Sequence, residues 1–227
     1  MSTTPSILMV LTSHAELGST GRTTGFWLEE LAAPYAEFKK AGARIDLASP
    51  KGGRPAADPG SEKDLGEAAR AFLADADAVK KLDNTIRLDA VKERYDAIFL
   101  VGGHGTMWDL ATDASLARLL ADTFEDGRVV AAVCHGPAGL TSVRLRNGEP
   151  LVKGRRVTGF SDEEETVMKL MDVVPFPLET RLRELGAVYE RGPIWKSHAV
   201  RDGRLVTGQN PASSVDVARQ TLAAIAG

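Results

Sequence analysis

Residues 129–140, VVAAVCHGPAGL, join a short apolar strand to a predicted helix, and Cys134, the only cysteine of the chain, stands at the junction. Small residues, Ala132 and Gly136, lie two positions before and after this cysteine, which is the spacing of a nucleophile elbow. Backbone N–H groups and the dipole of the following helix favour a thiolate there, so the pattern predicts a reactive cysteine. The alternative is a small buried hydrophobic residue, as most free cysteines are.

Apolar runs of strand length alternate with helical patterns along the chain, which predicts an α/β fold. The runs at residues 6–12 and 95–101 lack polar alternation, as is typical of parallel strands covered by helices on both faces. Between them the pattern predicts a helix at residues 25–40, kinked or interrupted at Pro34, and a strand at residues 43–49. We therefore predict a doubly wound, mostly parallel sheet with helices on both faces.

The length of the chain indicates one globular domain, residues 1–227, with an insertion at about residues 50–90. The insertion begins with a loop rich in Gly, Pro and Asp and continues as a helix at about residues 64–81. A connection of this length has three possible roles: it covers an active-site mouth, it forms an oligomer contact, or it is a solvent-exposed surface segment without a function of its own. The sequence leaves these alternatives open.

Charge and hydropathy exclude several classes of protein. A net charge of −3 provides no basic field for nucleic acid, and no apolar stretch is long enough to cross a bilayer. The first residues lack the basic and apolar segments of a secretory signal, so we expect a cytoplasmic protein without membrane contact. The single cysteine excludes an internal disulfide.

A glycine-rich turn follows the strand predicted at residues 95–101. Ligands of open α/β sheets bind at the carboxyl ends of the strands, so this turn is expected on the same rim as Cys134. The turn lacks the spacing of dinucleotide and phosphate-binding loops, and it suits an oxyanion hole or a substrate pocket better. The predicted pocket residues are Gly103, His104, Gly105 and Trp108, of which the tryptophan also suits a core position.

We predict neither a cofactor nor a metal site. The four histidines are scattered and include no ligand pair at helical or hairpin spacing. A helix is predicted to begin after Ser161, and the acidic residues of its first turn have a sufficient structural role as capping and dipole-compensating groups.

Six stretches occur in order along nearly the whole chain: GxxTGxxxxE at 21–30, ASP at 48–50, GGHGT at 102–106 with Asp109, AAVCHGP at 131–137, VTGF at 157–160 followed by Glu165, and DGRLVTG at 202–208 with NPAS at 210–213. Together they resemble the ThiJ/PfpI superfamily, whose flavodoxin-like fold is similar to that of the class I glutamine amidotransferases. The resemblance is greatest to the branch of heat-inducible chaperones with glutathione-independent glyoxalase activity, called glyoxalase III or D-lactate dehydratase.

The resemblance implies a cofactor-free site with Cys134 as nucleophile, His135 as its neighbour and Glu30 as a carboxylate close to the thiol. It also implies that Glu165 orients the histidine, a role for which Asp162 is the alternative. In the implied reaction the thiolate adds to methylglyoxal or a similar α-oxoaldehyde, and a proton carrier converts the hemithioacetal to a thioester that water releases as lactate. Deglycase activity and a homodimer are further implications.

Other functions remain as alternatives. The first alternative is a holdase chaperone for unfolded client proteins, and the second is a cysteine-based redox sensor. A cysteine peptidase or amidase is the third and has the weakest support. Glutamine hydrolysis is disfavoured, because the late His198 is not followed by an acidic residue two positions further on.

Overall fold

The computed structural model describes residues 4–227, and its centre is a seven-stranded sheet. The strands of the chain are β1 (Ser6–Val10), β2 (Arg44–Ser49), β3 (Ile86–Arg87), β4 (Ala97–Leu100), β5 (Val129–Val133), β6 (Arg156–Val157), β7 (Val188–Tyr189), β8 (Ala199–Asp202) and β9 (Leu205–Gly208). The main sheet has the order β3-β2-β1-β4-β5-β9-β8, and β6 pairs separately with β7. All neighbouring strands of the main sheet are parallel except β8, which is antiparallel to β9. The predicted mostly parallel sheet is confirmed.

Helices cover both faces of this sheet, as predicted. They are α1 (Leu28–Lys40), α2 (Glu67–Ala74), α3 (Ala76–Asp83), α4 (Ala114–Glu125), α5 (Asp162–Met168), α6 (Leu178–Glu184) and α7 (Ser214–Ala226). Helices α1 and α7 pack against each other on one face, and α4 packs against β4 and β5. Within residues 4–227, no helix combines the length and the apolar character that crossing a bilayer requires.

The central strands are apolar along their whole length because both of their faces are buried. Every residue of β4 and β5 is inaccessible to solvent, and in β1 only Ser6 is partly exposed. Burial of a Val, Leu or Ile side chain contributes about 1.5–3 kcal/mol, so these strands supply much of the hydrophobic stabilisation. The carboxyl ends of β4 and β5, which carry the residues discussed below, therefore belong to the most rigid part of the fold.

The predicted interruption of the first helix at Pro34 is wrong, since α1 continues through this residue to Lys40. A proline in a helix interior removes the hydrogen bond to the carbonyl four residues earlier, here that of Glu30, and its ring crowds that carbonyl. Pro34 is itself buried, so packing against the rest of the molecule compensates for this loss.

The insertion contains two helices instead of the one predicted at residues 64–81. The helices α2 and α3 are separated at Asp75, whose carboxylate accepts hydrogen bonds from the N–H groups of Asp77 and Ala78 at 3.1 and 3.2 Å. This N-terminal cap starts a new helix within a continuous helical pattern. The insertion ends in the edge strand β3, which the sequence did not reveal because two residues are too short for a periodic pattern.

Candidate active site

The nucleophile elbow predicted at Cys134 is present at the carboxyl end of β5. Cys134 has a φ of +58°, a left-handed conformation that non-glycine residues adopt at a cost of about 1–3 kcal/mol. Its N–H donates to the carbonyl of Gly208 at 2.9 Å, and its carbonyl accepts from the N–H of Phe160 at 2.8 Å. A Cβ atom at Gly136 would lie 2.5 Å from the carbonyl oxygen of Leu100, which explains why a small residue follows the cysteine. The strained turn is thus held from both sides.

The thiol differs from the sequence-based expectation, which favoured a thiolate. The segment after the elbow is a five-residue 3-10 helix, Gly136–Leu140, instead of an α-helix with a full dipole. Cys134 is only 4% exposed, and burial together with the charge of Glu30 raises the pKa of its thiol. Desolvation outweighs the N–H groups of the turn, so the thiol is neutral until a base removes its proton.

Glu30 is a fully buried acid in the first turns of α1, next to the elbow. Neither of its carboxyl oxygens has a hydrogen-bond partner of good geometry among residues 4–227. Burial raises the pKa of Glu30 to about 8, so the carboxyl is protonated at neutral pH and its charge is absent from the apolar interior. The adjacent Glu29 lines a different cavity, so of the two glutamates Glu30 is the one that lies beside the thiol.

Gly102, at the end of β4, separates Glu30 from Cys134. A Cβ atom at this position would lie 2.1 Å from Oε2 of Glu30 and 2.9 Å from Cβ of Cys134. The absence of a side chain therefore lets the acid approach the thiol. The sequence pattern indicated the next glycine, Gly103, as a pocket residue and did not single out Gly102.

His135 and Glu165 continue the group of polar side chains behind the thiol. Nδ1 of His135 lies 3.3 Å from Sγ of Cys134, and Nε2 lies 2.8 Å from Oε2 of Glu165. The other oxygen of Glu165 lies 2.9 Å from Nε2 of His104. Asp162, the alternative partner of the histidine, accepts instead from the hydroxyl of Thr180.

Burial and the two histidines set the protonation states of this group. Burial of His135, reinforced by the neighbouring His104, lowers its pKa to about 4. Burial of Glu165 opposes ionisation, but the charges and hydrogen bonds of the two imidazoles outweigh it and lower its pKa to about 2. At neutral pH Glu165 is therefore an ionised carboxylate and His135 is a neutral imidazole. When Nε2 of His135 carries the hydrogen that faces Glu165, its Nδ1 is free to accept a proton.

The same three side chains are the one group among residues 4–227 with the donor composition and spacing of a metal site. His104, His135 and Glu165 each offer one atom, and these atoms lie within 4.8 Å of one another. Sequence analysis missed this group because its members come from three separate segments. Each oxygen of Glu165 accepts a hydrogen bond from an imidazole nitrogen, so the negative charge of the carboxylate is stabilised without a cation.

A cavity of about 460 Å³ opens beside the site. His104 lies on its wall, together with Trp27 and parts of the insertion, and the other lining residues are Leu17, Gly21, Arg22, Thr23, Asp58, Pro59, Gly60, Lys63, Met168 and Leu170. The beginning of the insertion forms part of the wall of this cavity, whereas Cys134, Glu30, His135 and Glu165 do not line it, so the cavity meets the site only at His104. That the insertion covers an active-site mouth stays a prediction.

Three other predicted pocket residues are not among those that line this cavity. Trp108 stacks on the ring of His14, with centroids 5.1 Å apart and planes inclined by 8°. A Cβ atom at Gly103 would lie 2.3 Å from the carbonyl oxygen of Gly25, and one at Gly105 would lie 2.6 Å from that of His14. These two glycines allow the turn to pack closely against the segment before α1.

Glu164 is a second buried carboxylate of α5, which sequence analysis had treated as a helix-capping group. Its oxygens accept hydrogen bonds from Ser161 and from the N–H of Trp195, and from the side-chain amides of Gln209 and Asn210. The capping box with Ser161 is visible in the sequence as the spacing S-x-x-E. The other contacts are long-range, and through them Glu164 fixes α5, and with it Glu165, to the end of β9.

Comparisons with known proteins agree with this fold. The sequence profile of the DJ-1/PfpI family matches residues 23–224. Glyoxalase 3 of Candida albicans is 34% identical over 96% of this chain and 97% of its own length. Glutathione-independent glyoxalase HSP31 of Saccharomyces cerevisiae is 33% identical over 96% and 97%. The crystal structure of glyoxalase III from Candida albicans superposes with a TM-score of 0.89, at 31% identity, and 97% of each chain is covered.

Proposed function

The chain belongs to the DJ-1/PfpI family, and from this membership and the geometry of its site we propose that it is a glutathione-independent glyoxalase. The substrate is a small α-oxoaldehyde such as methylglyoxal, and the product is the corresponding 2-hydroxy acid. The observation that carries the proposal is the carboxyl of Glu30, which is fully buried, protonated at neutral pH and within reach of the thiol of Cys134. A proton carrier in this state suits a reaction that moves a proton between adjacent carbons.

The first step is addition of Cys134 to the aldehyde carbon. Nδ1 of His135, 3.3 Å from Sγ, takes the thiol proton as the carbon–sulfur bond forms. Glu30 supplies a proton to the aldehyde oxygen, which gives the hemithioacetal and leaves Glu30 as a carboxylate. The negative charge of Glu165 stabilises the imidazolium that forms on His135.

The second step is an isomerisation of the adduct. Glu30, now ionised in an apolar environment, is a strong base and removes the proton from the carbon bound to sulfur. The imidazolium of His135 protonates the oxygen of the resulting enediolate to give the enediol. Glu30 then returns its proton to the neighbouring carbon, while the hydroxyl next to sulfur passes its proton to Nδ1 of His135. This converts the hemithioacetal to a 2-hydroxyacyl thioester without any external oxidant or reductant.

Hydrolysis of the thioester completes the cycle. Glu30 takes a proton from a water molecule that enters through the cavity at His104 and adds to the thioester carbonyl. The sulfur of Cys134 leaves and takes the proton of the His135 imidazolium, which restores the starting state of the site. The sum of the steps is one α-oxoaldehyde and one water converted to one 2-hydroxy acid. Deglycase activity would use the same attack on early carbonyl adducts of proteins or nucleotides.

The alternatives fit the site less well. Peroxide reacts with thiolates, so burial that raises the pKa of Cys134 disfavours a rapid redox sensor. A thiol that is 4% exposed is poorly accessible to a polypeptide, which disfavours a peptidase. A holdase function depends on apolar surface instead of the thiol and would persist in a Cys134→Ala protein.

The direct test is lactate formation from methylglyoxal without glutathione, by the native protein and by Cys134→Ala and Glu30→Gln variants. Each variant is expected to lose activity by about a hundredfold or more, because a nucleophile or proton carrier is removed. The matched control is Glu29→Gln, which changes the adjacent glutamate and should retain nearly native activity. An inactive native protein, or an active Cys134→Ala protein, would exclude the proposal.

The resemblance to the family also supports three further proposals, about domain organisation, compartment and oligomeric state. We propose that residues 1–227 form one domain with an insertion at about 50–90, that the protein acts in the cytoplasm, and that it is a homodimer. Closed two-fold dimers are the commonest oligomers of soluble proteins. Analytical ultracentrifugation would measure the oligomeric state, and a monomer at micromolar concentration would exclude the dimer.

A further inference from the structure

His104 and His135 hold the same carboxylate from opposite sides. Their Nε2 atoms lie 2.9 and 2.8 Å from different oxygens of Glu165, and their ring centroids are 4.0 Å apart. The two histidines come together because His104 follows β4 and His135 follows β5, and these strands are parallel neighbours in the sheet. His104 makes no hydrogen bond other than this one to a side chain in the described part of the protein.

The arrangement determines which nitrogen of His135 carries the proton. An ionised carboxylate has only acceptor oxygens, so both imidazoles present an Nε2–H to Glu165. A neutral His135 with its hydrogen on Nε2 has a free lone pair on Nδ1, the atom that lies 3.3 Å from the thiol sulfur. The carboxylate can keep His135 in this tautomer only if it cannot rotate away.

We propose that His104 is a positioning residue of the reaction: by donating its Nε2 proton to Glu165 it fixes the carboxylate, and thereby holds His135 in the tautomer that accepts the proton of Cys134. The inference rests on the proposed glyoxalase function for its kinetic consequences. His104 does not itself exchange a proton with the substrate in this scheme.

The charges around His135 give His104 a second effect on the same base. His135 is faced by Cys134 on the elbow, by His104 after β4, and by Glu165 and Glu164 from α5. The two carboxylates favour the imidazolium, whereas His104 and burial disfavour it. The contact between the two rings, whose centroids are 4.0 Å apart, therefore opposes formation of the imidazolium on His135.

The experiment compares His104→Phe, which keeps a ring of similar shape without the donor, with His104→Gln, whose amide nitrogen can take the place of Nε2. Steady-state lactate formation and the rate of Cys134 alkylation by iodoacetamide are measured against pH for both variants. The tautomer of His135 is read from its ¹⁵N chemical shifts in the native protein, which requires no variant.

The native protein should have His135 protonated on Nε2 alone. His104→Phe should reduce kcat by about tenfold or more, the effect of one lost hydrogen bond to a charged group, and should move the acidic limb of the pH profile upward. His104→Gln should recover kcat to within about threefold of native, because the donor is restored.

Three results would overturn the inference. These are a native His135 protonated on Nδ1, a His104→Phe protein with native kcat and pH profile, and a His104→Gln protein as impaired as His104→Phe with an unshifted acidic limb. If the native protein makes no lactate while alkylation of Cys134 is slower in His104→Phe than in native protein and recovers in His104→Gln, the glyoxalase proposal fails and the positioning role remains.

Discussion

Glu30 occupies the space that a side chain at Gly102 would need, since a Cβ atom there would lie 2.1 Å from Oε2 of the glutamate. We predict that Gly102→Ala displaces the carboxyl from the thiol and reduces lactate formation by about a hundredfold or more. The variant should also lose about 1–3 kcal/mol of unfolding free energy through overpacking.

The matched control for this prediction is Gly66→Ala. A Cβ atom at Gly66 would lie 2.8 Å from Oε2 of Glu29, the end of a flexible and only half-buried side chain that can move. This variant should keep its activity. Equal losses in the two variants, measured by kinetics and thermal unfolding, would refute the specific role of Gly102.

The buried Glu30 makes stability depend on pH. Burial raises its pKa from an ordinary 4.5 to about 8 in the folded protein, so the folded state binds the proton more tightly than the unfolded state. The protonated Glu30 stabilises the fold fully below pH 4.5, the pKa in the unfolded state, and this stabilisation is lost as pH rises through about 8, the pKa in the folded state.

Glu30→Gln removes this dependence because the amide does not titrate. Relative to native protein, the variant should gain stability between pH 5 and 8, by about 2–4 kcal/mol, since one pKa unit corresponds to about 1.4 kcal/mol. Urea unfolding at several pH values measures this difference. A difference that is constant with pH would contradict the buried, protonated state of Glu30.

The catalytic pH profile should be bell-shaped with an unusually acidic lower limb. Burial lowers the pKa of His135 from 6.5 to about 4, so His135 remains a base well below neutrality. At the alkaline side, ionisation of Glu30 near pH 8 removes the acid that protonates the aldehyde oxygen. Measurement of kcat/KM between pH 4 and 10 tests both limbs, and an acidic limb at an ordinary histidine pKa would contradict the assignment.

Glu165→Gln should reduce kcat by about a hundredfold or more, because a neutral amide neither stabilises the imidazolium nor fixes the tautomer of His135. Glu163→Gln provides the control, since Glu163 belongs to the same helix turn but is exposed. The comparison is made by steady-state kinetics at neutral pH. A loss of activity of the same size in both variants would indicate a general effect on α5.

Removal of divalent metals should leave activity unchanged. Both oxygens of Glu165 are engaged by the imidazoles of His104 and His135, so the group needs no cation to neutralise the carboxylate. Lactate formation is measured before and after dialysis against EDTA, with metal content determined by mass spectrometry. Loss of activity that added zinc restores would show that a metal takes part.

The sequence was most informative where short-range patterns determine structure. The apolar runs and the elbow spacing around Cys134 identified the central strands and the strained turn, and the family motif selected Glu30 over Glu29. The glycines after β4 were recognised as a group, but the contact that requires Gly102 joins α1 to β5, and no local pattern encodes it.

Long-range relationships and energetic balances were not accessible in the same way. His104 and Glu165 are 61 positions apart, and their hydrogen bond exists only because the fold brings two loops together. The pKa of Cys134 depends on whether burial or the backbone dipoles dominate, which the elbow spacing does not determine. Burial, followed by the neighbouring Glu30, decides that balance in favour of the neutral thiol.

The raised pKa of Cys134 has a consequence for the lifetime of the protein. A catalyst of carbonyl detoxification works among electrophiles and oxidants that inactivate exposed thiolates. Here the sulfur is 4% exposed and its raised pKa keeps it a neutral thiol at neutral pH. Burial and protonation thus slow the reaction of Cys134 with electrophiles and oxidants from bulk solvent, which extends the working life of the protein.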